Sequence, residues 1–259
     1  MTEFIEQIKT HRSIRRYKPD PVLEEMLTEI LEAGIRASSS GNMNVYSIIV
    51  TRDQALREQL YTAHMEQRMV LDAPVLVTFC ADFHRMRKWL EVSDAPQGFD
   101  NFMSFMIAAF DATLVSQNVA LAAEARGLGI CYLGSTLANC EMVGNILQLP
   151  RHVIPVVGFT LGYPDEDPAL RDRLPLDAVV HQETYQEYSE ERIRAVYHDR
   201  ETAGWERYMK NKWLREMVEE HGVENLAQIY SMVKYTRESH QEHSRRVLAY
   251  LEAQEFMNN

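Results

Sequence analysis

The stretch from Phe102 to Ala125 constrains the fold of this chain more than any other. It is rich in Ala, Met and Leu and reads as one long helix, closed at its C-terminus by Gly127. Its small residues allow close packing, and periodicity alone supports an ordinary buried helix. The strongly apolar run Pro74 to Cys80 reads as a central strand. Around these two anchors helices and strands alternate. Phe4 to Thr10 is expected as a short helix with Phe4, Ile5 and Ile8 turned inward. Leu23 to Ile35 is expected as an amphipathic helix with Leu23, Met26, Leu27, Ile30 and Leu31 on one face. Tyr46 to Thr51 is strand-like, Gln54 to His64 helical, Gly129 to Ser135 a strand running into a loop, Cys140 to Leu147 helical, and Val153 to Gly162 a strand. The alternation points to a layered α/β or α+β domain.

After Pro175 the composition turns polar and rich in Tyr, Arg, Glu and His, with no repeat and no low-complexity linker. Residues 1–175 are expected to form the core. Residues 176–259 are expected to form a mostly helical extension that wraps or covers it, not an independent domain.

Charge narrows the function. The 259-residue chain has a formal net charge of -11, which argues against a general nucleic-acid binder, because that needs a broad basic surface. Cys80, Cys131 and Cys140 show neither zinc spacing nor a disulfide framework, so a reduced, cytoplasmic setting is expected. Glu3, Glu6 and Lys9 interrupt any N-terminal signal region. No apolar run is read as long enough to span a bilayer, so no membrane partner is expected.

Against this acidic background, "THRSIRRYKPDPV" from Thr10 to Val22 gathers three arginines, a histidine and a lysine. Pro19 and Pro21 push the residues before them out of helical geometry. Guanidinium groups suit phosphate, and Ser13 adds a hydroxyl donor, so His11-Arg12-Ser13 would hold a phosphate monoester. A solvated basic turn is the alternative. Arg171 and Arg173 in "ALRDRLP" alternate on an extended segment and share one face, as a second clamp or as part of a surface loop. Ser38-Ser39-Ser40-Gly41-Asn42 offers hydroxyls and backbone N–H groups of the kind that cradle phosphates, or is a plain helix-to-strand connection. "GLGICYLG" follows a helix and leads into a strand, the reverse of the dinucleotide-binding order, so a nicotinamide would not be held by a Rossmann fold. Its Gly134-Ser135 end would present backbone N–H groups to a ligand. The spacing of His240 and His243 permits a metal pair, but their Glu, Arg and Ser neighbours read as a solvated face, and no metal site is expected.

The stretches "HRSIRRY", "ASSSGNMN", "MEQR", "FCADF", "YLGS", "LPRHVIPVVGFTLGYP" and "LRDRLP" occur in the order and register of a known family. Through them the chain resembles the FMN-dependent nitroreductases from Met1 to about Pro175, in the branch of the major oxygen-insensitive NADPH nitroreductase and related flavin reductases. The resemblance implies an α+β fold with a central, mainly antiparallel sheet flanked by helices, in an intertwined homodimer with two FMN sites at its interface. It implies that His11, Arg12 and Ser13 grip the FMN phosphate, with Arg171 and Arg173 completing the clamp. Arg15 would reach the pyrimidine edge of the flavin, where negative charge collects on reduction. Gln67 would bond the pyrimidine part of the ring, and Tyr132, Gly134 and Ser135 would line its other edge. Ser39, Ser40 and Asn42 would be supplied by the partner subunit. The family often has Lys at the Arg171 position and Gly at the Ser135 position.

The implied activity is ping-pong transfer of two electrons from NADPH or NADH to a nitroaromatic, quinone or similar small aromatic acceptor, with no essential side-chain acid or base. A flavin reductase and a non-enzymatic flavin-binding redox sensor are the alternatives. The Arg-rich loop that relatives carry for the NADPH 2′-phosphate is not preserved in "YHDRETAGWERYMKNKWLREM", though it contains Arg200 and Arg207, and about Lys210 to Ser239 resembles an insertion. Trp205, Tyr208 and Trp213 would narrow the acceptor slot or pack the extension onto the core.

Overall fold

The computed structural model describes residues 2–258. The chain forms two compact units, one running to Leu170 and resuming at His243, the other spanning Arg171–Glu242. Composition divides the sequence at Pro175. In the structure the division falls just after Leu170, and the last residues belong to the first unit.

In chain order the first unit contains α1 (Thr2–Lys9), α2 (Glu24–Gly34), β1 (Tyr46–Thr51), α3 (Gln54–Ala63), α4 (Met69–Asp72), β2 (Val75–Asp82) and α5 (His84–Val92). Next come α6 (Phe102–Ala125), β3 (Gly129–Tyr132), α7 (Ser135–Ala138), α8 (Cys140–Ile146) and β4 (Val153–Gly162). The second unit holds α9 (Glu190–Met209), α10 (Lys212–Glu220) and the short α11 (Leu226–Gln228), followed by a π-helical turn at Ile229–Lys234. The last helix, α12 (Arg237–Ala253), begins in the second unit and ends in the first.

The four strands form one sheet in the order β1-β2-β4-β3, antiparallel throughout. β2 is central because both its edges are paired, and its side chains are buried at every position. That is why its sequence is apolar at every position but Thr78 and the terminal Asp82, rather than alternating. α6 packs on the sheet through Ala112, Val115, Val119, Ala120 and Ala123, meeting Val77, Phe79, Phe159 and Leu161 in one core cluster that also takes in Leu27 and Ile30 of α2. Close approach of α2 to α6 depends on Gly34, where an added Cβ would sit 2.1 Å from Val119 Cγ2.

Four expectations need correction. α6 is long and apolar enough to cross a membrane by length and composition, against the reading that no run is. Here it is a core helix of a folded unit, with Asp111 fully buried and hydrogen-bonded. Second, Phe4, Ile5 and Ile8 of α1 face outward, at 52%, 51% and 40% exposure. Third, Leu23 precedes α2 as its N-cap and is exposed. The segment after β3 also departs from a loop, because Ser135 opens α7.

The second unit has its own small core, Val218, Val223, Leu226 and Ile229. Trp205 and Tyr208 pack on it, while Trp213 is exposed.

Candidate functional site

The basic run docks on the sheet edge. Ser13 forms a parallel bridge with Ile130 of β3, and the Ile14 N–H donates to the Ile130 carbonyl at 2.8 Å. Gly129 makes this approach feasible, since a Cβ there would lie 2.5 Å from Ile14 Cγ1. Further on, Tyr17 bridges to Pro164, and its buried hydroxyl donates to the Ile14 carbonyl at 2.5 Å and meets Thr160 Oγ1 at 2.8 Å. Burial pushes the Tyr17 phenol well above its ordinary range. The run is therefore an ordered extended segment, not a solvated turn.

Carboxylates hold it. His11 Nδ1 lies 2.5 Å from Glu124 Oε1 at the end of α6. Arg12 pairs with the exposed Asp167. Glu166 accepts the backbone N–H of Arg15 at 2.5 Å and of Arg16 at 3.0 Å. Its carboxyl is held below the usual range: burial opposes the ionised form, and the Arg15 and Arg16 N–H bonds and the Arg16 charge outweigh it. Arg15's guanidinium is exposed, with one long contact to the Ser13 carbonyl at 3.5 Å.

Next along the same edge, Tyr132 closes β3. Its hydroxyl meets Ser116 Oγ at 3.0 Å and its ring stands edge-on to Phe159. Gly134 then turns the chain into α7 with φ -62 and ψ -20, a conformation open to any residue. A Cβ at Gly134 would meet nothing within 4 Å. Ser135 is buried, and its Oγ lies 3.0 Å from His64 Nδ1 and 3.2 Å from Gln67 Nε2. Gln67 also donates to the His64 carbonyl at 3.0 Å. The turn carrying Gln67 is unusual: Met65 and Glu66 both have positive φ, 56 and 54. The Glu66 N–H donates back to the Tyr61 carbonyl at 2.9 Å, a helix-ending pattern normally built on glycine.

The serine loop is anchored elsewhere. Ser39 Oγ donates to Asp111 Oδ2 at 2.6 Å, and the Ser40 N–H donates to Asp111 Oδ1 at 2.9 Å. The exposed Asn42 accepts the Asn44 amide on its carbonyl at 2.7 Å. Arg171 and Arg173 lie in the second unit, where Asp172 between them pairs with Arg200 at 2.9 Å and Arg207 at 3.7 Å.

The structure thus brings together His11, Arg12, Ser13 and Arg15 with Tyr132, Gly134, Ser135 and Gln67 around β3. His64, Glu124, Asp111 and Glu166 were not singled out from sequence. Asp111 and Glu124 carried a signal, because they are the only charged residues in α6, and a buried carboxylate needs partners. Among the described residues, no group of His, Cys, Asp and Glu suits a metal ion.

Two observations fit this edge to a phosphorylated flavin. Arg12 Nε is buried without a partner, a donor awaiting an acceptor. The space beside Gly134 is open where the backbone would approach a flat ring.

Sheet, basic run and Gly134-Ser135 turn define the chain as an α+β protein with a basic segment bridged to its sheet edge. The chain belongs to the nitroreductase family, whose model matches residues 8–163. It is 38% identical to the oxygen-insensitive NADPH nitroreductase of Salmonella typhimurium over 73% of this chain and 78% of that protein. It is 32% identical to the FMN reductase [NAD(P)H] of Bacillus subtilis over 86% of this chain and 98% of that protein. A crystal structure from Bacteroides fragilis, 40% identical, superposes with a TM-score of 0.90 over 98% of this chain and all of that one.

Proposed function

We propose that this chain is an FMN-dependent oxidoreductase that takes two electrons from NAD(P)H and delivers them to a nitroaromatic, quinone or similar small aromatic acceptor, working as a homodimer. The observation that carries it is the Ser13–Ile130 bridge, which sets the basic run one strand spacing from the edge ending in Gly134 and Ser135. The relatives named as NADPH nitroreductase and FMN reductase support it and keep free flavin among the acceptors.

When bound, FMN supplies the exchange of an electron pair between donor and acceptor. The chain's residues hold and bias it. Arg12, through its unpaired Nε, and Ser13 would bind the phosphate, with His11 steadied by Glu124. Arg15 would place a permanent positive charge where reduction puts negative charge. Gln67 would hold the pyrimidine part of the ring, Tyr132 would line its edge, and Gly134 would leave one face open to both substrates. Ser39 and Ser40, positioned by Asp111, would serve the partner's cofactor together with Asn42.

An outward apolar surface supports the homodimer. Phe4 lines a groove of about 510 Å³ with Ile30, Ala33, Leu121 and Ala122. Phe110 and Leu114 of α6 are exposed as well. Such a surface marks an interaction site.

The test is anaerobic. Purified protein is expected to be yellow, and NADPH or NADH, added separately, is expected to bleach the flavin band rapidly, the faster of the two being the preferred donor. A colourless protein that binds no added FMN, or a yellow one bleached by neither donor, overturns the proposal.

A further inference from the structure

His64 is fully buried, and two of its atoms pose a question. Nδ1 meets Ser135 Oγ at 3.0 Å, while Nε2 is buried with no hydrogen-bond partner. Burial pushes the imidazole down to about 4, so the ring is neutral at physiological pH and carries a single N–H. Which nitrogen carries the proton decides what the Ser135 hydroxyl can do.

Two constraints settle the proton count. The first comes from Gln67. Its Nε2 touches both the His64 carbonyl at 3.0 Å and Ser135 Oγ at 3.2 Å. A carbonyl only accepts, so the amide nitrogen must be the atom facing it, and the amide orientation is fixed. Ser135 Oγ therefore accepts a hydrogen bond from Gln67.

The second comes from the unpaired Nε2. A proton there would bury an N–H donor with nothing to receive it. A proton on Nδ1 buries only a lone pair and makes an N–H···O bond to Ser135 instead. Buried orphan donors are rarer in folded proteins than under-satisfied acceptors. The Nδ1–H tautomer follows, and Ser135 Oγ accepts from His64 as well.

A hydroxyl oxygen has two lone pairs and one proton. With both lone pairs filled, only the proton remains to be donated, and Ser135 Oγ has no further partner among the described residues. Its neighbour Gly134 borders open space.

We propose that His64 is a positioning residue: together with Gln67 it fills the acceptor capacity of the Ser135 hydroxyl, leaving the Ser135 O–H proton as a directed donor to the edge of the bound flavin. This rests on the FMN reading above. A fixed donor at the ring edge favours the reduced, more negative form of the flavin over the oxidised one. The strained Met65-Glu66 turn belongs to the same device, because it brings Gln67 back beside His64.

The experiment has two readouts on the purified holoprotein. Nitrogen-15 NMR of the His64 ring is expected to show the neutral Nδ1–H tautomer. An Nε2–H tautomer, or an imidazolium, would overturn the proposal whether or not flavin is bound. The second readout is the two-electron potential of bound FMN in His64→Leu, His64→Asn, Ser135→Ala and the His64→Leu/Ser135→Ala double variant. His64→Leu is expected to disfavour the reduced form three- to tenfold, about 15–30 mV for a two-electron couple. His64→Asn keeps an N–H donor at the Nδ1 position and is expected to restore the wild-type value. In the Ser135→Ala background, His64→Leu is expected to add nothing. An unchanged potential in His64→Leu, or additive effects in the double variant, would show that His64 does not act through Ser135. Wild-type protein that binds no FMN would instead remove the functional proposal, and the NMR tautomer would still decide the His64–Ser135 bond.

Discussion

Asp111, midway along α6, accepts the Ser39 hydroxyl on one carboxylate oxygen at 2.6 Å and the Ser40 backbone N–H on the other at 2.9 Å. The Ser40 hydroxyl adds a third bond at 3.1 Å, and Ser39 Oγ in turn accepts the Asn44 N–H at 2.8 Å. One buried carboxylate thus shapes the whole serine loop. Asp111→Ala leaves several of these donors unpaired, at about 1–3 kcal/mol for each one that stays buried. The expected loss is about 3 kcal/mol in urea unfolding, with weaker FMN binding because Ser39 and Ser40 are released. Wild-type stability in Asp111→Ala would show that the loop holds itself.

The legibility of this fold varies with the reach of the interactions. β2 was legible because burial on both faces favours a predominantly apolar run, here interrupted only by Thr78 before the terminal Asp82. The basic run was legible as a site but not as a strand-like segment, because its bridge to Ile130 joins residues far apart in sequence. α1 was misread because amphipathicity names an apolar face without naming what covers it. The Phe4, Ile5 and Ile8 face lies outward in the single chain. His64 was invisible, because a histidine before Met-Glu announces neither burial nor a turn. The left-handed conformation there is taken by two residues that ordinarily avoid it.

That turn makes a stability prediction. Each non-glycine residue in the left-handed region costs about 1–2 kcal/mol, and glycine returns part of this as added chain entropy on unfolding, about 0.5–1 kcal/mol. Glu66→Gly is therefore expected to stabilise the protein by roughly 0.5–1 kcal/mol. A fall in the urea midpoint would mean that the Glu66 side chain contributes more than its backbone costs.

Acid sensitivity follows from His64. Its folded pKa, about 4, lies below the ordinary 6.5. Between these values the unfolded chain binds a proton that the folded chain refuses, so stability falls as pH drops from 6.5 towards 4 and is unaffected by this group above that window. At pH 5 the loss from this group is about 2 kcal/mol. Urea titrations at pH 7 and pH 5 should show a smaller drop in His64→Asn than in wild type. Equal drops would place the acid sensitivity in other groups.

Asp172 and Arg200 bear on donor preference. Asp172 is held below the usual carboxylate range, chiefly by its hydrogen bond from Arg200, and Arg207 adds to this. Both arginines that the sequence offers to the NADPH 2′-phosphate are thus engaged within the second unit. Arg200→Ala is expected to cost about 1.5–2 kcal/mol, the low end for hydrogen bonds to charged groups because the pair is part-exposed. It is expected to leave the ratio of kcat/KM for NADPH over NADH within twofold. A tenfold fall in that ratio would assign Arg200 to the cofactor phosphate after all.

Gly134 separates a structural glycine from a functional one. Its φ of -62 requires no glycine, and an added Cβ would meet nothing. In the protein without flavin, Gly134→Ala should therefore stabilise the fold by about 0.4–1 kcal/mol, through a less disordered unfolded chain. The same methyl would occupy the space where the ring is placed, so FMN affinity should fall while stability rises. Gly129→Ala makes the contrast, because its Cβ would collide with Ile14 and should destabilise the fold with or without flavin. Thermal unfolding and FMN titration of the two variants, side by side, decide the matter. If Gly134→Ala binds FMN as tightly as wild type, the flavin does not lie against this turn, and the cofactor edge must be sought elsewhere along β3.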